Sequence, residues 1–478
     1  MMGAIVLSHR WLGIASCLLF AMWFATGIVM HFVPFPSLAE AERFAGLLPL
    51  GRTEARIAIT DAVAASGIAD ATRVRLIRRS DGLAYVITGS SRVRAVHASD
   101  GSDASVISPD VALVIARDHA RSRGLAAARA TILAQADYDQ WTVPNGFDRH
   151  RPLFRIALGD AAGTEVYVSS LTGEVVLDTT RSERGWNLVG SVLHWIYPTS
   201  LRRNWALWDR VVWTVSLLAL IAALLGAVLG IARVRMRQRQ ISLPYRGWHA
   251  LHHVIGLAVT VFVLTWIFSG WLSMDHGRLF SRGQLTPAEA GVANALPDWA
   301  AASSLEQRPI SSSAREIEWF AFNGNVYRRD RIALGSQTLV KAAETPDERP
   351  TGLLSGRDVQ ELTARLASGC DAPSVVADGD GYPAQSAIPG APVYRSRCGD
   401  LWFDIDGAEG SVLQRLDASR RAYRWFYGAL HTLDFPILMA HPRLRNGLIV
   451  GLCVLGFAFS ITGTVIGWRR LRAVVRKA

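Results

Sequence analysis

Four stretches of the 478-residue chain, 11–32, 211–232, 254–274 and 447–468, contain no Asp, Glu, Lys or Arg. Each has about the 20 residues an α-helix needs to cross a hydrocarbon core roughly 30 Å thick. Inside a bilayer the main chain must satisfy its own hydrogen bonds, so an uninterrupted apolar run of this length reads as a spanning helix. Buried helices of soluble proteins are seldom so long and so uniformly apolar. The chain is therefore expected to be a membrane α-helical protein with four transmembrane helices.

The charges set the expected orientation. The chain carries a formal +11 and only 19% charged residues, against about 25% for an ordinary soluble domain. Arg10 is the one cation of the first ten residues. Five more lie at Arg233, Arg235, Arg237, Arg239 and Arg246, and five at Arg469, Arg470, Arg472, Arg476 and Lys477. No acid lies in these three flanks, so they account for the whole excess. This is a topology pattern and not a nucleic-acid-binding face, because positive charge beside span ends stays cytoplasmic. Both termini are then expected on the cytoplasmic side, and two large regions outside. The first span reads as an uncleaved anchor.

The expected order is a first helix within 1–33, an outside region 34–185, and an interfacial segment with the second helix, 186–235. A cytoplasmic loop 236–247 and a third helix 248–274 follow. Then come a second outside region 275–422, a second interfacial segment with the fourth helix, 423–469, and a cytoplasmic tail 470–478. The outside regions read as α+β, with helical character over 53–66 and 109–123 and strands over 81–96, 152–177, 317–333 and 393–416. Cys17 and Cys453 fall inside spans and read as small apolar groups. Cys370 and Cys398 fall in an oxidising compartment and form the disulfide candidate.

The spans repeat. His9-Arg-Trp-Leu-Gly13 opens the first and His252-His-Val-Ile-Gly256 the third, and at the same offset of 243 Trp23 matches Trp266, Thr26 matches Ser269 and Gly27 matches Gly270. At an offset of 237, His194 falls on His431, Gly226 on Gly463, Gly230 on Gly467 and Arg233 on Arg470. The pattern predicts two pseudo-repeats packed about an axis along the membrane normal.

The hairpin sequences 165–175 and 401–412 resemble the ending of PepSY domains. The whole plan, with His-Arg-Trp-Leu-Gly, Trp248-His-Ala-Leu-His-His253 and Leu430-His-Thr-Leu-Asp-Phe435, resembles the PepSY-associated transmembrane proteins. That resemblance implies periplasmic PepSY-like domains. It also brings in relatives such as the FoxB-type siderophore reductases, which hold b-type haems between their spans and reduce ferric siderophores.

The repeat gives the histidines a chemical reading. His9 and His252 are equivalent at the cytoplasmic edge, His194 and His431 at the outer edge. A pseudo-twofold axis can bring each pair face to face, as bis-histidine ligation of haem iron requires. Two haem b groups are expected, with His9, His252, His194 and His431 as cofactor-binding and iron-ligating residues. His31 is an alternate at the outer edge, and His249 and His253 at the inner. His276 and His441 are surface histidines or iron-site residues, and Arg10, Arg202, Arg203 and Arg246 are possible partners of haem propionates.

No nucleotide-binding loop appears, and the cytoplasmic segments are too short for a flavin domain. Electrons are therefore expected from a membrane quinol or a separate cytoplasmic flavoprotein, with lipid as the constant partner, and the resemblance implies a ferric siderophore as acceptor. A membrane-anchored PepSY binding or regulatory module without redox chemistry is the rival reading. A transporter of iron or siderophore is a second rival, disfavoured because the span interiors lack the ionisable groups transport sites use.

Overall fold

The computed structural model describes residues 2–51, 55–237, 240–242, 244–276, 279–342, 348–349 and 351–476. Thr53 of the expected helix 53–66, Arg239 and Lys477 lie outside the described residues.

Four helices are long and apolar enough to cross a membrane: Met2–Phe32, Trp205–Ala232, Gly247–Met274 and Pro442–Val475. Each extends beyond its charge-free stretch at one end or both. The second begins at Asn204, whose side chain accepts from Leu207 N, and the fourth has Pro442 in its first turn, where a missing N–H costs nothing. The first helix packs mainly on the fourth and second, the third on the second and fourth. Side-chain reach fixes the antiparallel arrangement. A Cβ on Gly467 would meet Ile14, one on Gly226 would meet His9, and one on Gly463 would meet His252. The starts of the first and third helices thus lie beside the ends of the second and fourth. Between the second and third helices runs a short hairpin, β8 (Arg235–Arg237) and β9 (Gln240–Ser242).

Among the remaining described residues the strands form three antiparallel sheets. Strands β1 (Arg73–Arg79), β2 (Gly82–Thr88) and β3 (Val93–His97) form one meander, and β10 (Glu316–Phe322), β11 (Asn325–Ala333) and β12 (Ser336–Lys341) another, with β13 (Glu348–Arg349) at its edge. The two meanders do not close separate domains. They join through β1 and β10 into one seven-stranded sheet ordered β13-β12-β11-β10-β1-β2-β3. Its register pairs Arg73 with Phe320, Arg75 with Glu318 and Ile77 with Glu316. The expected strands 81–96 and 317–333 fall within these meanders, but β1 and β12 lie outside them.

One face of this sheet is apolar, with Val74, Leu76, Tyr85, Ile87, Ile317 and Trp319 packed under the helix Ile59–Ser66. The other face carries buried ion pairs. Glu316 meets Arg43 and Arg331 at 2.8 Å and Arg75 at 3.2 Å, and Glu318 meets Arg73 at 3.1 Å and Arg329 at 3.0 Å. Arg75 also holds Glu174 at 2.6 Å and Arg73 holds Glu409 at 2.7 Å. Those two glutamates lie at the hairpin ends of the other sheets, so the network fastens all three sheets together.

The second sheet is β4 (Thr131–Ala136), β5 (Leu153–Ala157), β6 (Glu165–Ser169) and β7 (Val175–Thr179), covered by the helix Pro109–Ser122, which Ser108 caps. The third is β14 (Ser374–Val375), β15 (Val393–Cys398), β16 (Leu401–Asp406) and β17 (Val412–Leu416), covered by the helix Gly356–Leu366 with its Ser355/Asp358 capping box. The β6–β7 and β16–β17 turns each need a left-handed residue, and glycine supplies it at Gly173 (φ 71°) and Gly410 (φ 73°). A disulfide joins Cys370 to Cys398, and Cys17 and Cys453 are free and buried.

Candidate functional site

Each of β7 and β17 leads toward the spanning helices by the same local path. After β7, Thr180 caps the helix Arg181–Asn187 in a box with Glu183, and a π-helical turn Leu188–Val192 delivers His194. After β17, Asp417 caps Ala418–Tyr423, and a π-helical turn Arg424–Ala429 delivers His431. π-turns are rare and concentrate at functional sites. Two residues beyond each histidine the main chain turns left-handed at a bulky side chain, Ile196 (φ 51°) and Leu433 (φ 52°). Such residues cost of the order of 1–3 kcal/mol and persist only where packing holds them. Trp23 helps to hold the first, its Nε1 donating to the His194 carbonyl at 2.9 Å.

The two rings come together, with His194 and His431 centroids 6.4 Å apart and ring planes at 67°. Two imidazoles binding one metal from opposite sides, with metal–nitrogen bonds of about 2.0 Å, have centroids roughly 6 Å apart. Both rings lie against glycine, since a Cβ on Gly27 would meet His194 Cε1 at 3.7 Å and one on Gly270 would meet His431 Cε1 at 3.3 Å.

Hydrogen bonds anchor the same nitrogen of each ring. The Thr26 hydroxyl donates its single proton to the main chain at Met22 O, 2.7 Å. With its proton there, it accepts from His194 Nδ1, at 2.9 Å. Ser269 likewise donates to Trp266 O, 3.0 Å, and accepts from His431 Nδ1, 3.1 Å. Both rings are thus Nδ1–H tautomers with a lone pair on Nε2, the form that binds a metal while its other nitrogen is anchored.

The second pair obeys the same logic. His9 Nδ1 donates to Ala222 O at 3.0 Å. His252 Nδ1 donates to Thr462 Oγ1 at 2.8 Å, because that hydroxyl gives its proton to Phe459 O at 2.6 Å. His252 also stacks on Phe459, 4.7 Å between centroids.

The alternates have other ring or hydrogen-bond neighbours. His31 Nε2 bonds Asn446 Oδ1 at 2.9 Å, tying the first helix to the fourth. His249 and His253 lie beside Tyr245, at 6.5 and 5.1 Å, and the buried His253 Nε2 has no hydrogen-bond partner among the described residues. His276 pairs with the buried Asp209 at 2.5 Å, and His441 bonds Ile437 O at 2.9 Å. Arg202 is taken up by packing, since it donates to Asn145 Oδ1 and lies over Tyr197 and Trp208. Sequence reasoning missed the anchoring role of Thr26, Ser269, Thr462 and the Ala222 carbonyl. The Thr26/Ser269 correspondence was visible, but its bonding depends on how helices cross.

Among the described residues no three His, Cys, Asp or Glu side chains gather to hold a bare metal ion. Two facing imidazoles instead fit a cofactor that brings most of its own ligands, as a porphyrin does.

Four apolar helices joined to sheet-bearing segments define a membrane-spanning α+β protein. The model of the PepSY-associated TM region family matches residues 6–470, and the chain belongs to that family. No curated protein matches it.

Proposed function

We propose that this chain is a di-haem b electron-transfer protein of the bacterial inner membrane that reduces ferric siderophores or other ferric chelates in the periplasm. The observation that carries this reading is the common state of four histidines. His9 and His252 at one end of the bundle, and His194 and His431 at the other, all have Nδ1 anchored by a hydrogen bond, which favours a lone pair on Nε2.

Haem bound between such pairs supplies a one-electron ferric/ferrous couple. The chain's own residues hold the four imidazoles in one tautomer and orientation, and the surrounding apolar helices exclude water. Electrons enter from a membrane quinol or a cytoplasmic flavoprotein. Ferrous iron binds siderophores far more weakly than ferric, so reduction releases the metal.

The same reading takes the chain as two copies of one unit. Support comes from β10, which begins 243 residues after β1 and has the same length, and from β17, which lies 237 residues after β7. The π-turns, the left-handed Ile196 and Leu433, and Gly173 and Gly410 follow the second offset. The arginine flanks support an orientation with both termini cytoplasmic and the sheets in the periplasm.

The test is the absorbance spectrum of purified full-length protein made with added haem precursor, oxidised and dithionite-reduced, with a pyridine haemochrome count. The reading expects b-type Soret and α bands and two haems per chain. Protein without these bands contradicts it.

A further inference from the structure

From His431 a file of aromatic rings leads away from the histidine pair. Tyr427 lies 5.8 Å from His431, Tyr423 lies 5.4 Å from Tyr427, and Phe280 lies 5.5 Å from Tyr423, all between centroids. Phe280 is in the wall of an open cleft of about 480 Å³, lined also by Leu279, Arg282, Gln284, Arg415 and Asp417. That volume lies within the range of small-ligand sites, about 300–1,000 Å³.

The cleft is furnished unevenly. Asp417 is turned to structural work, accepting from Ser281 Oγ and from Arg420 N at 2.7 Å each. Arg415 is held by Glu289 at 2.8 Å. Among the described residues that line the cleft, Arg282 is the accessible cation. It makes only a long 3.5 Å contact with the Asp275 carboxylate and a main-chain bond to Asp275 O at 2.9 Å, and its side chain is 35% exposed. The residues 237 positions before Tyr427 and Tyr423 are Gly190 and Trp186. The file thus has no full counterpart beside His194, and a duplicated framework has gained it on one side alone.

We propose that this cleft is the docking site of a small anionic ferric chelate and that Tyr427, Tyr423 and Phe280 form the packed path by which an electron leaves the His194/His431 pair. The proposal rests on the electron-transfer reading above. In the step, one electron supplied by a membrane quinol or reduced flavin passes to the chelated Fe(III), which becomes Fe(II). No proton moves, no covalent bond of the chain forms or breaks, and the rings serve as a close-packed medium without being oxidised. Phe280 and Arg282 contact the chelate through its apolar face and its charge. Tyr427 and Tyr423 act between the two ends.

Binding and electron exit separate experimentally. Gallium(III)–EDTA has the charge and shape of iron(III)–EDTA but is not reduced under these conditions, so its binding to the purified full chain in nanodiscs reads docking alone. Arg282→Gln is expected to weaken gallium–EDTA binding about tenfold, roughly 1.4 kcal/mol, and Phe280→Ala to weaken it similarly, with the haem spectrum unchanged. Tyr427→Leu and Tyr423→Leu are expected to leave gallium–EDTA binding unchanged. They should slow reoxidation of the reduced protein by iron(III)–EDTA about tenfold in stopped flow. Haem-containing protein whose gallium–EDTA affinity is the same in wild type, Arg282→Gln and Phe280→Ala overturns the docking site. Unchanged reoxidation in both tyrosine variants overturns the path. Protein without haem bands overturns the electron-transfer reading itself, a separate result.

Discussion

His194 and His431 stand 6.4 Å apart between ring centroids, and each gives its Nδ1 proton to a hydroxyl on a different spanning helix, Thr26 on the first and Ser269 on the third. Segments leading in from two separate sheets are thus locked to two separate helices, and both bare Nε2 atoms are fixed by neighbours that touch no ligand.

Removing one of those hydroxyls leaves a buried N–H without an acceptor, a cost of about 1–3 kcal/mol. Loss of an anchoring partner behind a metal-bound histidine typically costs about 10–100-fold in affinity. Thr26→Val keeps the side-chain shape and removes the acceptor, so it should lower haem retention by that order, measured by haemochrome content after gel filtration. Thr26→Ser should restore it. Equal retention in Thr26→Val and wild type contradicts the anchoring role.

The inner pair is expected to be more sensitive to crowding at one glycine than at its counterpart. A Cβ on Gly226 would stand 2.7 Å from His9 Cε1, whereas one on Gly463 would stand 3.5 Å from His252 Cε1. Gly226→Ala should push His9 aside and reduce haem content toward one per chain. Gly463→Ala should bind haem nearly as wild type does. The reverse order of the two variants is the contradictory outcome.

Acid should loosen the sheet assembly in two stages. Burial of His119, with Arg123 and Arg43 nearby, pushes its pKa down to about 4. The unfolded chain therefore takes that proton first, and stability falls as pH drops from about 6.5 toward 4. Burial alone raises the pKa of Glu316, but Arg43, Arg75 and Arg331 override it and hold the carboxyl well below the usual range. Its contribution is complete above the ordinary glutamate pKa of about 4.3 and is lost below it. Melting temperature should fall gently between pH 6.5 and 4.5 and steeply below. His119→Gln should flatten the first part. Glu316→Gln should cost about 1–3 kcal/mol at neutral pH, because Arg43, Arg75 and Arg331 lose a shared partner and keep Glu40 and Glu174. A His119→Gln profile identical to wild type between pH 6.5 and 4.5 contradicts this account.

The spanning helices could be read directly, because a charge-free run of this length has few other uses. The histidine correspondences could be read too, since His9/His252 and His194/His431 recur at fixed offsets whatever surrounds them. The joined sheet could not. β1 and β10 meet across more than two hundred residues, and nothing local in Arg73–Arg79 marks its partner. Only afterwards does the complementarity of Arg73 and Arg75 to Glu318 and Glu316 become meaningful. β4 escaped for a different reason: its residues are mostly exposed and lack a clear alternation. At the site, the anchoring of His252 depends on Thr462 and Phe459, which lie on another helix and carry no mark in the sequence.

The central claim is that histidines act in pairs, one pair at each end of the bundle. The most direct measurement is low-temperature absorbance and EPR of His194→Ala, His431→Ala, His9→Ala and His252→Ala in the full-length protein. The account predicts two low-spin components in wild type, loss of one and the same component in His194→Ala and His431→Ala, and loss of the other in His9→Ala and His252→Ala. If His194→Ala and His431→Ala remove different components, or if neither removes one, the pairing is wrong.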